Sequence, residues 1–373
     1  MRFEDLPIPA PPDFRVDWPA LLAAFPSLAE LADCPQDPIH HAEGDVLIHT
    51  EMVARAMAEI PAWRALPPDE RALTFLAALL HDIGKPACTR TESDGRITSR
   101  GHSRRGEIMV RGLLYRAGLD PIAREAICAL VRFHQLPFFL INLDDAERMA
   151  FTVSWIARCD HLSLVAEADM RGRHAKDQAH ILDHIALFDE YCRERDCWSA
   201  PRAFPSDHSR FLYFRKPGRD PNHHAHDDTR AEAILMSGLP GAGKNTWIAR
   251  HAAALPVISL DDIRAEIGAE SGEEIGRVVS IAEERAREHL RAGRDFVFNA
   301  TNIGRELRSQ WINLFAAYHA RIRIAYVESA EATQRQQNQR REERVPERAI
   351  ERMMARWEVP DRTEAHVVEW AVR

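Results

Sequence analysis

Residues 233–246 constrain the chain more than any other stretch. The apolar run Ala233-Ile-Leu-Met-Ser237 leads into Gly238-Leu-Pro-Gly-Ala-Gly-Lys-Asn-Thr246, and Trp247-Ile-Ala-Arg250 follows. The pattern reads as a buried strand, a glycine-rich turn and the start of a helix. Gly238, Gly241 and Gly243, with Ala242 in the same turn, let backbone N–H groups curl around a polyphosphate; Lys244 reaches its terminal phosphates where the helix presents its positive end. Asn245 stands where a magnesium-binding Ser or Thr is expected, and Thr246 follows it.

A strand that delivers such a loop needs neighbours. From Ala231 onward apolar runs alternate with helical patterns, and strands are expected at 233–237, 256–260, 295–299 and 321–327 in a parallel sheet covered by helices. The second of these ends at Asp261-Asp-Ile-Arg264, on the carboxyl edge where open α/β sheets bind ligands. Asp261 and Arg264 share one side of a helical turn. A carboxylate there can take a proton from an attacking hydroxyl, and a neighbouring guanidinium can grip a phosphate with two hydrogen bonds. Alone, the pair is an ordinary helix-start acid with a surface arginine. It gains weight from Asn299-Ala-Thr-Asn302 at the same edge and from Gln334-Arg-Gln-Gln-Asn-Gln-Arg-Arg-Glu-Glu-Arg-Val-Pro346, which reads as a mobile lid helix broken at Val345-Pro346.

The first half has a different period. Residues 47–57, 71–81 and 121–132 repeat apolar side chains at three and four, so this half is expected to be all-helical. Its chemistry lies in His49, His81-Asp82, His102 and His134, which fall at or near the ends of the apolar faces, and in a later aspartate. Imidazole with carboxylate suits a divalent transition metal, and two such ions can activate water and stabilise a departing phosphate oxygen. The chain has eighteen histidines, and any single one is more often a structural or solvated residue. Asp160 and Asp169 are nine residues apart on one expected helix and so face opposite sides. The two cannot both serve, and Arg171 and Arg173 lie near enough to Asp169 to help bind phosphate there. His40, His41 and His161 are expected to be solvated or to support other residues, and Lys85 to touch phosphate or cap a helix.

In order, His49, His81-Asp-Ile-Gly-Lys-Pro86, His102, His134 and a late Asp resemble the HD phosphohydrolase superfamily. The stretches 43–50, 81–85, 101–102 and 167–173 are similar to the HD domain fused to bacterial tRNA nucleotidyltransferases. That resemblance implies one metal held by His49, His81, Asp82 and Asp169, and a second position drawing on His102 and His134. The later motifs resemble the 5′-hydroxyl polynucleotide kinases. Carried over, Lys244 and Thr246 would bind the nucleotide phosphates, Asp261 would be the general base, Arg264 would hold the acceptor's adjacent phosphate, and Arg340 would be the lid arginine, with Arg341 the other register. Ala300 stands where the phage-type enzymes place an acid. Adenylate kinases also lack Ser or Thr at the position of Asn245.

Together the halves resemble bacterial two-domain end-healing enzymes: an all-α HD domain over 1–198, a linker at 199–229 rich in turn-forming and charged residues, and an α/β phosphate-loop kinase domain over 230–373. The implied activity is metal-dependent removal of 2′,3′-cyclic, 2′- or 3′-phosphate together with phosphorylation of 5′-hydroxyl ends by ATP or another nucleoside triphosphate and Mg2+. RNA or DNA ends would be the partners, with a nucleic-acid ligase acting downstream. Two alternatives are a nucleoside or nucleotide kinase joined to a small-nucleotide phosphohydrolase, and a nucleotide-sensing regulator with an inactive HD site. The net charge of −8 argues against broad non-specific binding to nucleic acid but leaves room for a basic groove over Arg335–Arg356. Six cysteines without a C-x-x-C pair, no apolar signal core and no bilayer-length apolar run point to a cytoplasmic protein with reduced thiols and no membrane partner. His223, His224 and His226 are read as solvated.

Overall fold

The computed structural model describes residues 1–268, 274–341 and 344–372, which form two compact units, Met1–Ala203 and Phe204–Arg373. The first is helical: α1 (Trp18–Ala24), α2 (Val46–Glu59), α3 (Pro61–Arg64), α4 (Pro68–Leu80), α5 (Lys85–Cys88), α6 (His102–Arg116), α7 (Pro121–Phe133), α8 (Ala146–Ser154), α9 (Cys159–Arg171) and α10 (Gln178–Glu194). One exception is a hairpin of two-residue strands, β1 (Arg90–Thr91) and β2 (Ile97–Thr98).

Local signals start these helices where the periodicity begins. Asp45 caps α2 by accepting the Ile48 N–H at 2.9 Å, and Asp120 caps α7 by accepting from Ile122 and Ala123. Pro68 opens α4, with Asp69 and Glu70 in its first turn. Its final residues, Phe75 to Leu80, are wholly buried, so α4 is apolar on most sides and forms the centre around which α2, α7 and α9 pack. Where α4 ends, a Cβ on Gly84 would collide with the His102 carbonyl. Only glycine lets the start of α6 approach the His81-Asp82 turn so closely.

The second unit holds a five-stranded, all-parallel sheet in the order β4 (Val257–Ser259), β5 (Phe296–Asn299), β3 (Ala231–Ser237), β6 (Ala320–Glu328), β7 (Val367–Val372). Its helices are α11 (Asp207–Arg215), α12 (Lys244–His251), α13 (Leu260–Glu266), α14 (Ile275–Arg291), α15 (Arg305–Ala317), α16 (Glu331–Gln339) and α17 (Glu347–Met354). Alternation along β3 assigns the two faces: Ala233 and Leu235 pack with α11, α13, α14 and α15, while Ile234 and Met236 pack with Trp247 and Ile248 of α12.

Three features differ from the sequence reading. Strand β7 was not among the four expected; it is a half-exposed edge whose Val-Val-Glu-Trp-Ala-Val run lacks the flanking turn signals. The interval 199–229 is not all loop, because Ser206 caps α11 and Phe211 enters the sheet's core. The arginine-rich helix ends at Gln339 and not at Val345-Pro346, since the Asn338 carboxamide both donates to Val345 O (2.8 Å) and accepts from Val345 N–H (3.3 Å), closing the chain on itself. Residues 342–343 of that stretch lie outside the described residues. Among the described residues no helix is long and apolar enough to cross a membrane.

Buried Arg308 joins the α15 start to the chain's C-terminal segment. Its guanidinium binds Glu364 at 2.7 and 2.9 Å and also donates to the carbonyls of Asn302 (3.0 Å) and Glu358 (2.7 Å). Arg308→Met leaves Glu364 buried without its cation and is expected to cost the second unit about 3–5 kcal/mol in urea unfolding. An unchanged unfolding free energy would contradict this pairing.

Candidate functional sites

The helical unit brings six of the expected residues to one point. His49 comes from α2, His81 and Asp82 from the turn after α4, His102 from the first residue of α6, His134 from the end of α7 and Asp169 from α9. All six are buried, and they fall into overlapping groups: His49, His81 and Asp82; His81, His134 and Asp169; Asp82, His102 and His134. His81 Nε2 is 3.1 Å from Asp82 Oδ2, His49 Nε2 is 3.2 Å from Asp169 Oδ1, and His102 Nε2 is 3.3 Å from Asp82 Oδ1.

Hydrogen bonding sets the ring tautomers. His81, His102 and His134 donate Nδ1–H to the carbonyls of Ala78 (2.7 Å), Ser99 (2.8 Å) and Val131 (2.8 Å). Their Nε2 atoms are therefore bare lone pairs directed inward. Among the described residues, His49 Nε2, His81 Nε2 and both oxygens of Asp82 are buried with no hydrogen-bond partner. Acceptors crowded together without a donor repel unless a cation sits among them. Their separations match the edges, about 3–3.5 Å, of a coordination shell with bonds of about 2.1 Å. The residues thus fit a divalent metal, with the two Asp82 oxygens facing the two halves of the cluster.

Two cations already lean on the carboxylates. Arg173 grips Asp169 at 2.6 Å, and Lys85 Nζ lies 2.7 Å from Asp82 Oδ2, outside hydrogen-bonding angles, while donating to Gln36 at 2.6 Å. Burial alone would raise Asp82, yet its neighbours His81, Lys85 and His102 hold it well below the usual carboxylate range. Burial likewise opposes the lowering of Asp169, which Arg173 and His49 drive. Burial, assisted by His81 and His102, pushes His134 down to about 3, favouring the neutral ring a metal needs.

Asp160 is elsewhere, paired with Arg158 at 2.5 Å, and His161 meets Glu70 at 2.9 Å. Arg171 is on the outer face with Glu167, and His40 is exposed. His41 is not simply solvated: its Nδ1 lies 2.8 Å from Glu43, and burial brings it down to about 4. Glu43 was not singled out in the sequence, since nothing in its spacing places it against His49.

In the second unit the loop Gly238–Gly243 joins β3 to α12, with positive φ at Gly238, Gly241 and Gly243. A Cβ on Gly241 would lie 2.5 Å from the Gln334 carbonyl, so α16 packs directly on the loop; Gln334 also donates to Pro240 O at 2.5 Å. Lys244 folds back to donate to Gly238 O (2.8 Å) and Leu239 O (3.1 Å). Burial, reinforced by Arg341 and opposed by Asp261, pushes its ammonium down to about 8. Asp261 accepts from Arg264 at 2.8 Å on one oxygen and from Arg341 at 3.5 Å on the other. It is Arg341 that faces Asp261; Arg340 is exposed at the end of α16. Thr246 is exposed on α12, and Asn245 accepts from Asn299 Nδ2 at 3.0 Å. Asn302 is structural: it takes φ 43°, is buried and donates to Met236 O.

Residues 46–185 match the HD domain family and residues 234–360 an AAA domain family. The chain joins an HD domain to a P-loop kinase-like domain. It is also similar to a multifunctional CCA protein of Methylococcus capsulatus (strain ATCC 33009 / NCIMB 11132 / Bath), 31% identical over 163 residues, which are 42% of this chain and 36% of that protein. The similarity thus spans about a third of the curated relative's length. A solved structure of a candidate kinase from Chloroflexus aurantiacus J-10-fl is 15% identical, with 39% of this chain and 86% of that chain covered at a TM-score of 0.33.

A polyphosphate held at this loop would need Lys244 protonated, and with a pKa of about 8 the side chain is about 90% charged at pH 7 and about 10% at pH 9. Nucleotide affinity, read by titration with a fluorescent nucleoside triphosphate, should therefore fall about tenfold as pH rises from 7 to 9. Lys244→Arg, charged throughout, should flatten the profile. A flat profile in the unaltered protein would contradict the assignment.

Proposed function

We propose that the protein heals broken nucleic-acid ends with two separate sites. The HD half removes 2′,3′-cyclic, 2′- or 3′-phosphate, and the kinase half transfers phosphate from ATP or another nucleoside triphosphate to a 5′-hydroxyl. The observation that carries the kinase half is Asp261 held between Arg264 and Arg341 beside the loop of Lys244. Asp261 would accept the hydroxyl proton, Arg264 would turn to the phosphate next to that hydroxyl, and Arg341, or Arg340 in the other register, would neutralise charge on the transferring group. Lys244 would leave the Gly238 and Leu239 carbonyls for the donor's phosphates, with Gly238, Gly241, Ala242, Gly243, Asn245 and Thr246 lining them and Mg2+ accompanying the nucleotide.

In the HD half His49, His81, Asp82, His102, His134 and Asp169 would hold one divalent transition-metal ion or two. A bound ion supplies Lewis-acid polarisation of the phosphate and a more acidic water. Arg173 and Lys85 stand beside the ligand carboxylates, where each offers a positive charge to a phosphate drawn into the site.

A polynucleotide acceptor is supported by the resemblance to the HD domain of tRNA nucleotidyltransferases and by exposed Arg340, Arg344, Arg348, Arg352 and Arg356. Of these, Arg348 and Arg352 lie four apart on α17, opposite its buried Ile350 and Met354, and such a row suits a phosphate backbone. The overall charge of −8 favours the second reading, a kinase and phosphohydrolase of free nucleosides or nucleotides.

Separate active sites predict separable losses. Lys244→Ala or Asp261→Ala should lower phosphorylation of a 5′-hydroxyl oligonucleotide by at least about 100-fold while leaving release of 3′-phosphate unchanged. His81→Ala or Asp82→Ala should do the reverse. Loss of both activities from either pair refutes two independent sites, and faster phosphorylation of a free nucleoside than of the oligonucleotide establishes the second reading.

A further inference from the structure

His49 differs from the other clustered histidines in what holds its ring. The Nδ1 atoms of His81, His102 and His134 each meet a neutral backbone carbonyl. His49 Nδ1 also has a carbonyl, donating to Gly172 O at 3.2 Å, and in addition lies 3.0 Å from the Glu43 carboxylate. Glu43 is built into that place: its side chain is 1% exposed, the oxygen facing His49 is also 2.8 Å from His41 Nδ1, and its other oxygen accepts the His174 N–H at 2.9 Å. These contacts leave the carboxylate one orientation, with its charge against the edge of His49 opposite Nε2.

A carboxylate charge held beside Nδ1–H stabilises that tautomer and makes Nε2 a more basic donor than a carbonyl alone does. We infer that Glu43 is a positioning residue that makes the metal position at His49, His81, Asp82 and Asp169 the tighter of two. The position at Asp82, His102 and His134 has only carbonyl support for its imidazoles and shares its one carboxylate with the first. The two ions therefore bind in order, the first retained and the second exchangeable. The inference rests on the reading of this cluster as a metal site.

Co2+ alone, added to the ion-free full-length protein and competed with a chromophoric chelator, tests both. The unaltered protein should bind a tight and a weak ion, and His102→Ala should remove the weak one. Glu43→Gln keeps the side chain's shape and an acceptor oxygen but not the charge; it should weaken the tight ion about 10- to 100-fold and the weak one by less than about threefold. If Glu43 only fills space, Gln will preserve both affinities. Unchanged tight binding in Glu43→Gln, with that binding lost in His81→Ala, overturns the inference alone. Co2+ binding that survives His81→Ala, or is absent from the unaltered protein, overturns the metal-site reading beneath it.

Discussion

Four buried acceptor atoms, His49 Nε2, His81 Nε2 and the two oxygens of Asp82, have no hydrogen-bond donor between them. Each such group costs on the order of 1–3 kcal/mol when it is taken from water unpaired. The helical unit is arranged so that this cost is met at one place: α2, the turn after α4, α6, the end of α7 and α9 each bring an inward-facing side chain to it. Their packing around α4, and the close approach that Gly84 permits, serve that convergence as much as they serve the core. A helical bundle selected for stability alone would fill the same volume with apolar side chains. Lys85 and Arg173 each set a positive charge against one of the two carboxylates.

The second unit meets a comparable constraint by backbone geometry. A polyphosphate can be held only where several N–H groups converge, and the positive φ values of Gly238, Gly241 and Gly243 produce that turn. Lys244 closes the loop on its own carbonyls, and α16 lies against Gly241. Asp261 is held from both sides by guanidinium groups drawn from α13 and from the end of α16. Asn245 has a local explanation as well: its side chain is tied to Asn299 at the end of β5, linking the helix that follows the loop to the neighbouring strand.

The parts of this arrangement that depend on local period were legible in the sequence. Apolar repeats placed α2, α4 and α7, the glycine spacing placed the phosphate loop, and the nine-residue offset put Asp160 and Asp169 on opposite faces of α9, as they are. What depends on tertiary approach was not legible. Glu43 reaches His49 from an irregular segment. Lys85 turned toward Asp82 and Gln36, where the sequence offered a phosphate contact or a cap. The choice of Arg341 over Arg340 against Asp261 follows from the end of α16 at Gln339, set by Asn338 and the backbone of Val345. Strand β7 escaped because its residues are half-buried on both faces, so no apolar–polar alternation marks it.

On the proposed function, one chain processes both ends of a break at different sites. The direct measurement takes an RNA with a 5′-hydroxyl and a 2′,3′-cyclic phosphate, incubates it with a divalent metal, with and without ATP, and maps both ends by mass spectrometry. The account predicts a 3′ end cleared of phosphate in both reactions and a 5′-phosphate only where ATP is present. RNA that keeps both original ends with metal and ATP supplied would contradict it.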